Sequence, residues 1–428
     1  MSALVTRVIH SARLVSGGTV TPDAWVAFAG DTVSRVGTGR GWREWAVSDA
    51  ESAAGRETSA VDLVDAHGRW LTPGFIDLHC HGAGGAAFDD DATGIRTALA
   101  VHRGHGTTRS VLSLVTASLA DLETRLDAIA SAASGDPLIL GAHLEGPFLD
   151  DGFRGAHDRT LLRAADAAAA ERLLLASRGY LRQITLAPEL PGAFDAIERF
   201  VAAGVVVAVG HSAADCATAR AAFDAGASVL THAFNAMHGI HHRAPGPVVA
   251  AMGSGGVTLE LINDGVHVHP DVVRLAFAGA PGRVALVTDA MAATGFGDGV
   301  YWLGSLRVQV IDGVARLAGP GWPTAGMGAE SAGADAAGGA AGCGSDCAAS
   351  TLGAIAGSTL TLDAALKRAV QVVGLSIGEA VTALTATPAR AIGRAHDLGL
   401  LAPGFAADAV LLGDDFAVDA VFAAGQRL

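Results

Sequence analysis

The sequence predicts an α/β fold: a TIM-like (β/α)8 barrel with a small β-sandwich domain built from both chain termini. Three observations carry this. Eight apolar, β-branched runs alternate with segments of helical period in the middle of the chain. Both ends read as short strands and turns. The first apolar run is followed by "GAGGAAFDD", which lacks the Gly-rich phosphate turn that a doubly wound sheet needs.

In order along the chain, residues 1–62 alternate as strands in "TRVIHSARLVS" and "AWVAFAGDTVSRVG", and the polar stretch Gly39–Ala60 reads as a loop. The barrel is expected over 63–390. Its eight strands are "GFIDLH", "TTRSVLSLVT", "PLILGAHLE", "LRQITLAPE", "GVVVAVGHS", "ASVLTHAF", "VTLELINDGVH" and "RVALVTDA". Helical period lies between them, as in "ASLADLETRLDAIASAA" and "AADCATARAAFDAG". The Gly/Ala-rich run 319–353 buries little and reads as a mobile insertion, either a lid or a tolerated extra loop. Residues 391–428 are again β-rich, and pairing the two ends gives one small domain with the barrel inserted between its halves.

Composition excludes several classes. The 428 residues are half hydrophobic, ample for a large core, and carry 29 Lys plus Arg against 43 Asp plus Glu, a net charge of −14. No basic stripe offers a nucleic-acid surface, and a small anionic substrate needs a local cationic pocket against this field. No window is apolar for long enough to span a membrane, and the N-terminus lacks the apolar core of a signal peptide. Four cysteines in a chain of this length do not make a disulfide framework, so free thiols in a reducing cytoplasm are expected.

Barrel chemistry sits at the C-terminal strand ends. There the sequence places His79 and His81, Glu145, His211, His232, Asp264 with His267, and Asp289. In an extended chain His79 and His81 point to one side and Cys80 to the other. One strand-end histidine is commonly structural, and an Asp after a strand is commonly a helix cap. Several together are the ligand types of zinc or iron(II).

The order HxH, Glu, His, His, Asp resembles the amidohydrolase superfamily. Within it, "HLEGPFL", "GAHD", "LAPE", "GHS", "THAFNAM", "DGVHV", "VTDAM" and "AGSTLTLD" resemble the N-acetylglucosamine-6-phosphate deacetylase family, from "PGFIDLH" to "PGFAADAVLL". The resemblance implies a homodimeric or higher-order cytoplasmic hydrolase that takes a phosphorylated amino sugar, N-acetyl-D-glucosamine 6-phosphate, and releases acetate. It implies one or two divalent metals per subunit, zinc first, with iron(II) or another divalent cation as alternatives. Glu145, His211 and His232 match the main metal ligands. His79 and His81 match the pair that holds a second metal in some members. Asp289 matches the acid/base that takes a proton from the attacking water and delivers it to the leaving amine, and His157 matches the residue that steadies the carbonyl oxygen. Ala156, Asn235, Ala236, His267, Ile355, Ala356 and Gly357 match substrate contacts. Arg243 matches a phosphate-binding arginine supplied by the neighbouring subunit.

Three other readings compete. The galactosamine epimer is the nearest, since one hydroxyl's configuration is not written in these motifs. Another amidohydrolase acting on N-acyl substrates is further off, because the strand ends offer no lysine to bridge two metals. A scaffold that lost its chemistry is expected to lose ligands or base, and here Glu145, His211, His232 and Asp289 are all present.

Overall fold

In the computed structural model, residues 6–45, 61–318 and 353–428 are described. The eight apolar runs form eight parallel strands: β1 Phe75–Cys80, β2 Thr107–Val115, β3 Ile139–Glu145, β4 Leu181–Leu186, β5 Val206–Val209, β6 Val229–Leu230, β7 Thr258–Ile262 and β8 Val284–Val287. Their order in the sheet is their order in the chain. Residues just beyond β8 close the ring onto β1. The Asp289 N–H donates to His79 O at 2.8 Å, and the His81 N–H donates to Ala290 O at 2.7 Å.

Every residue of β1, β2, β3, β7 and β8 is buried. Strands covered on both faces read as continuous apolar runs for this reason. Outside, the helix Ala193–Ala202 buries Ala193, Ala196, Ile197 and Phe200, one stripe at helical spacing. Sealing one Phe or Ile this way stabilises the fold by roughly 1.5–3 kcal/mol. The helices expected from "ASLADLETRLDAIASAA" and "AADCATARAAFDAG" form as Leu119–Gly135, capped by Ser118, and Cys216–Asp224, capped by Asp215.

The two ends of the chain share one mixed sheet. Its order is Gln426–Arg427, Val418–Ala423, Ala409–Leu412, Trp70–Pro73, Thr6–Ser16, Thr19–Ala29, Thr32–Thr38, with Asp62–Asp65 pairing the first half of Thr6–Ser16. The sheet curls until its halves face each other. The Val33 N–H donates to Phe405 O at 2.8 Å, and the Phe28 and Phe422 rings meet with centroids 6.3 Å apart. Asp62–Asp65 and Trp70–Pro73 join it, so the sheet draws on chain beyond residue 62. A buried ion pair ties sheet to barrel: the β2 residue Arg109 donates to both Asp408 oxygens at 2.6 and 3.1 Å.

A small three-stranded sheet packs on the barrel rim. After β8, Gly299–Leu303, Leu306–Ile311 and Val314–Leu317 form an antiparallel meander. Its Leu303, Val308, Val310 and Ala315 pack with Val115, Ala156, Met291 and Ala356 at the top of the barrel. The run 319–353 lies outside the described residues except for Gly353, and the loop expected over Gly39–Ala60 is described only as far as Trp45. Among the described residues, no helix is long and apolar enough to cross a membrane.

Candidate metal centre and active site

The closed ring brings the strand-end residues to one point. Glu145, the last residue of β3, sits between two histidine pairs. Its Oε1 lies 3.0 Å from His211 Nε2 and 3.1 Å from His232 Nε2, and its Oε2 lies 3.1 Å from His81 Nε2. His79 Nε2 is 3.4 Å from Glu145, and Asp289 Oδ1 completes the second group at 3.3 Å from His81 Nε2. All of these side chains are buried. His211, His232 and Asp289 each follow a strand and take positive φ, at 48°, 25° and 48°. Non-glycine residues held there cost energy, and such strain gathers where side-chain aim matters.

The donor set fits a divalent cation. Imidazole nitrogens face each other at 3.0 Å (His211 and His232) and 3.1 Å (His79 and His81). Tetrahedral ligands on a metal with bonds of about 2.0–2.1 Å stand about 3.3 Å apart. Two groups at these strand ends could hold an ion, Glu145 with His211 and His232, and His79, His81, Glu145 with Asp289, and both contain Glu145.

Neighbours behind the ligands orient some of them. His211 Nδ1–H donates to the Phe153 carbonyl at 2.9 Å, and His79 Nδ1–H donates to Glu260 Oε2 at 3.2 Å. Gln183 in turn donates to Glu260 Oε1 at 2.7 Å. The Thr116 N–H donates to His157 Nδ1 at 3.4 Å, which leaves the His157 Nε2 edge, 3.4 Å from Glu145, for the cleft.

The electrostatics follow from burial and these neighbours. Burial opposes the charged forms of His79 and His81, but Glu145 and Asp289 overcome it, raising His79 well above its usual range and His81 to about 9. Burial likewise opposes ionisation of Glu145 and Asp289, yet the facing histidines, His79 above all, hold both carboxyls below the ordinary carboxylate range. Metal binding displaces protons from such ligands. His157 behaves differently: burial, reinforced by His211, pushes it down to about 4, so its ring is neutral at pH 7.

Above the cluster opens a cleft of about 330 Å3. Ala156, His157, Asn235, Ala236, His267, Ile355 and Gly357 line it together with His81, Glu145, His211, His232 and Asp289. Ala356, between two lining residues, is itself fully buried and absent from the lining. Asp264 accepts from His267 Nδ1–H at 2.7 Å and so fixes that ring at the wall. Arg243 stands apart, exposed on the loop after Met237 and absent from the lining of its own chain's cleft. Sequence reasoning missed Glu260, Gln183, Thr116, Phe153, Ile262 and Leu303. The signal for Glu260 was present: a carboxylate between Leu259 and Leu261 in a strand buried on both faces needs a partner. Nothing in the sequence marked the Phe153 carbonyl, because any residue has one.

Residues 70–428 match the model of the amidohydrolase family. The chain is 36% identical over 376 residues to a protein of Escherichia coli O157:H7 named N-acetylgalactosamine-6-phosphate deacetylase, covering 86% of this chain and 91% of that one. It is 34% identical over 335 residues to a protein of Vibrio furnissii named N-acetylglucosamine-6-phosphate deacetylase, covering 77% and 76%. Among solved structures, a variant of N-acetyl-D-glucosamine-6-phosphate deacetylase from Mycobacterium smegmatis in complex with N-acetyl-D-glucosamine-6-phosphate aligns with a TM-score of 0.83 and 37% identity, over 99% of both chains.

Proposed function

The chain belongs to the amidohydrolase family, and from that premise we propose that it hydrolyses N-acetyl-D-glucosamine 6-phosphate to D-glucosamine 6-phosphate and acetate. One observation carries the reading. Asp289 and His157 face a cleft whose floor is the Glu145-centred ligand cluster, so a base, a hydrogen-bond donor and a metal seat share one small space. The relatives named for this reaction cover most of the chain.

Glu145, His211 and His232 would hold a divalent ion, zinc first, with iron(II) or another divalent cation also suited to this donor set. Bound there, the ion supplies Lewis acidity and makes water a better acid near neutral pH. Asp289, held as a carboxylate, takes the proton from water as its oxygen adds to the acetamide carbonyl carbon. It then gives that proton to the amide nitrogen as the C–N bond breaks. Without this delivery the nitrogen leaves as an unstable anion. The neutral His157 ring donates its Nε2–H to the carbonyl oxygen as charge gathers there.

Asn235, Ala236, Ala156, His267, Ile355 and Gly357 bound the sugar, with Ala356 supporting Ile355 and Gly357. The phosphate needs a cation, and Arg243 of a neighbouring subunit supplies it in a homodimer or larger assembly. The exposure of Arg243 on its own chain supports that arrangement. The free thiols Cys80 and Cys216 support a reducing, cytoplasmic setting. A second reading, the 4-epimer N-acetyl-D-galactosamine 6-phosphate, is favoured by the match to the Escherichia coli protein. Acetate release from both phosphosugars and from unphosphorylated N-acetylglucosamine, with and without a chelator, tests the assignment. Faster turnover of the galactosamine epimer would replace the substrate, and indifference to phosphate would remove the role of Arg243.

A further inference from the structure

The barrel interior holds a carboxylate that the chemistry above does not use. Glu260 lies in the middle of β7, fully buried. Its two oxygens have different partners. Oε2 accepts from His79 Nδ1–H at 3.2 Å, and Oε1 accepts from the Gln183 amide at 2.7 Å. Gln183 is itself fully buried, and its Oε1 has no hydrogen-bond partner among the described residues, so its side-chain bond goes to Glu260.

This backing is selective. Among the described residues, His81 Nδ1 and His232 Nδ1 have no partner at all. His211 Nδ1 meets a neutral carbonyl. Among the described residues, His79 alone of these four histidines has a carboxylate behind its Nδ1. Such a carboxylate fixes the tautomer with the Nε2 lone pair forward and makes the ring a stronger ligand. His79 Nε2 faces His81 Nε2, Glu145 and Asp289, the candidate group that shares Glu145 with, but does not contain, His211 and His232. Isolating a carboxylate in a strand core is costly unless a positive group compensates it.

We propose that Glu260 is a positioning residue: through His79 it makes the His79–His81 pair the seat of a second divalent ion, which shares Glu145 with the first. The proposal rests on the metal-centre reading above and adds the residue that sets occupancy. Gln183 holds the carboxylate in the orientation that serves His79.

The test counts ions rather than turnover. The full-length protein, stripped with chelator, is titrated with Zn2+ and bound metal is measured, with Co2+ absorption reporting each site. The wild-type chain is expected to take two ions. Glu260→Gln is expected to keep the first at unchanged affinity and to bind the second about ten- to a hundredfold more weakly. Gln183→Met keeps the carboxylate but frees it, and is expected to weaken only the second ion, by a smaller factor. In a His79→Ala background, Glu260→Gln is expected to add nothing. Unchanged binding of both ions in Glu260→Gln and Gln183→Met overturns the proposal. A wild-type chain that takes one ion overturns it while leaving the single-ion reading standing, and a chain that takes none removes both.

Discussion

Asp289 and His79 meet twice: the Asp289 main-chain N–H donates to the His79 carbonyl at 2.8 Å, and Asp289 Oδ1 lies 3.6 Å from His79 Nε2. The first contact closes the barrel between its last and first strands. The second joins the proposed proton carrier to the ligand cluster. The seam of the fold and the proposed site of chemistry are therefore one place, and displacing either strand end moves both.

Replacing Asp289 with Asn keeps the main-chain seam and removes the proton acceptor. Turnover is expected to fall by roughly 10^2–10^4-fold, with the ion at Glu145, His211 and His232 retained and an ion on the His79–His81 side, whose group includes Asp289, weakened. Acetate release and metal analysis on the same preparation check this, and retained turnover would sink the role.

Glu145 belongs to both ligand groups. Glu145→Gln is therefore expected to lose all tightly bound metal, whereas His211→Asn is expected to weaken the ion on its own side first. Metal analysis after dialysis separates the two, and full retention by Glu145→Gln would contradict the shared-ligand geometry.

Gly210 precedes His211, and a Cβ there would lie 2.6 Å from Thr231 Cβ and 2.8 Å from Thr185 Cγ2. Neither β-carbon nor methyl can swing away inside the barrel. Gly210→Ala is expected to destabilise by about 1–3 kcal/mol and to weaken metal binding by shifting His211. A thermal melt with and without Zn2+ reads both effects, and an unchanged melting temperature would show that the interior yields more readily than this spacing implies.

His102 is buried against Cys80 Sγ at 3.3 Å and the Gly82 carbonyl at 3.1 Å, and burial lowers its pKa from 6.5 to about 4. The unfolded chain binds this proton more readily, so the stability it contributes is complete above about pH 6.5 and is lost as pH falls through about 4. The span corresponds to about 3 kcal/mol. His102→Gln removes the titration and is expected to flatten that part of the urea-midpoint profile. A profile unchanged by the substitution would assign the acid limb to other groups.

Arg243→Ala is expected to raise KM for the phosphorylated sugar about ten- to a hundredfold, the range of one charge-assisted contact, with kcat little changed. Mixing it with a Glu145→Gln chain tests the trans arrangement. Hybrid dimers then pair one intact cleft with an intact Arg243 from the neighbour, and the low KM should return. Its failure to return would place Arg243 in cis or outside the site.

All eight barrel strands were legible because strands buried on both faces must be apolar throughout, and such runs stand out between helical segments. The ligand ends were legible because histidine and carboxylate are conspicuous where those runs stop. The rim meander was not, since Val300, Trp302 and Ile311 are exposed and blur the alternation a half-buried strand shows. Glu260 was missed because its partner, His79, lies 181 residues away. The strands Asp62–Asp65 and Trp70–Pro73 were hard to place for a related reason: sheet membership depends on pairing with Thr6–Ser16 and Ala409–Leu412, which short apolar stretches do not announce.

The shared terminal sheet has a consequence for synthesis on the ribosome. Trp70–Pro73 pairs with Ala409–Leu412 and Arg109 with Asp408, so the opening strands keep a bare edge while the whole barrel is translated. At about 5–20 residues per second that wait lasts tens of seconds. Throughout it, Leu71 and the apolar face of Thr6–Ser16 stand exposed beside open backbone groups, the condition under which chains recruit one another. The nascent protein is thus most exposed to aggregation just before its last strands emerge, and a truncation that spares every residue of the cleft but removes Ala409–Leu428 would leave it there permanently.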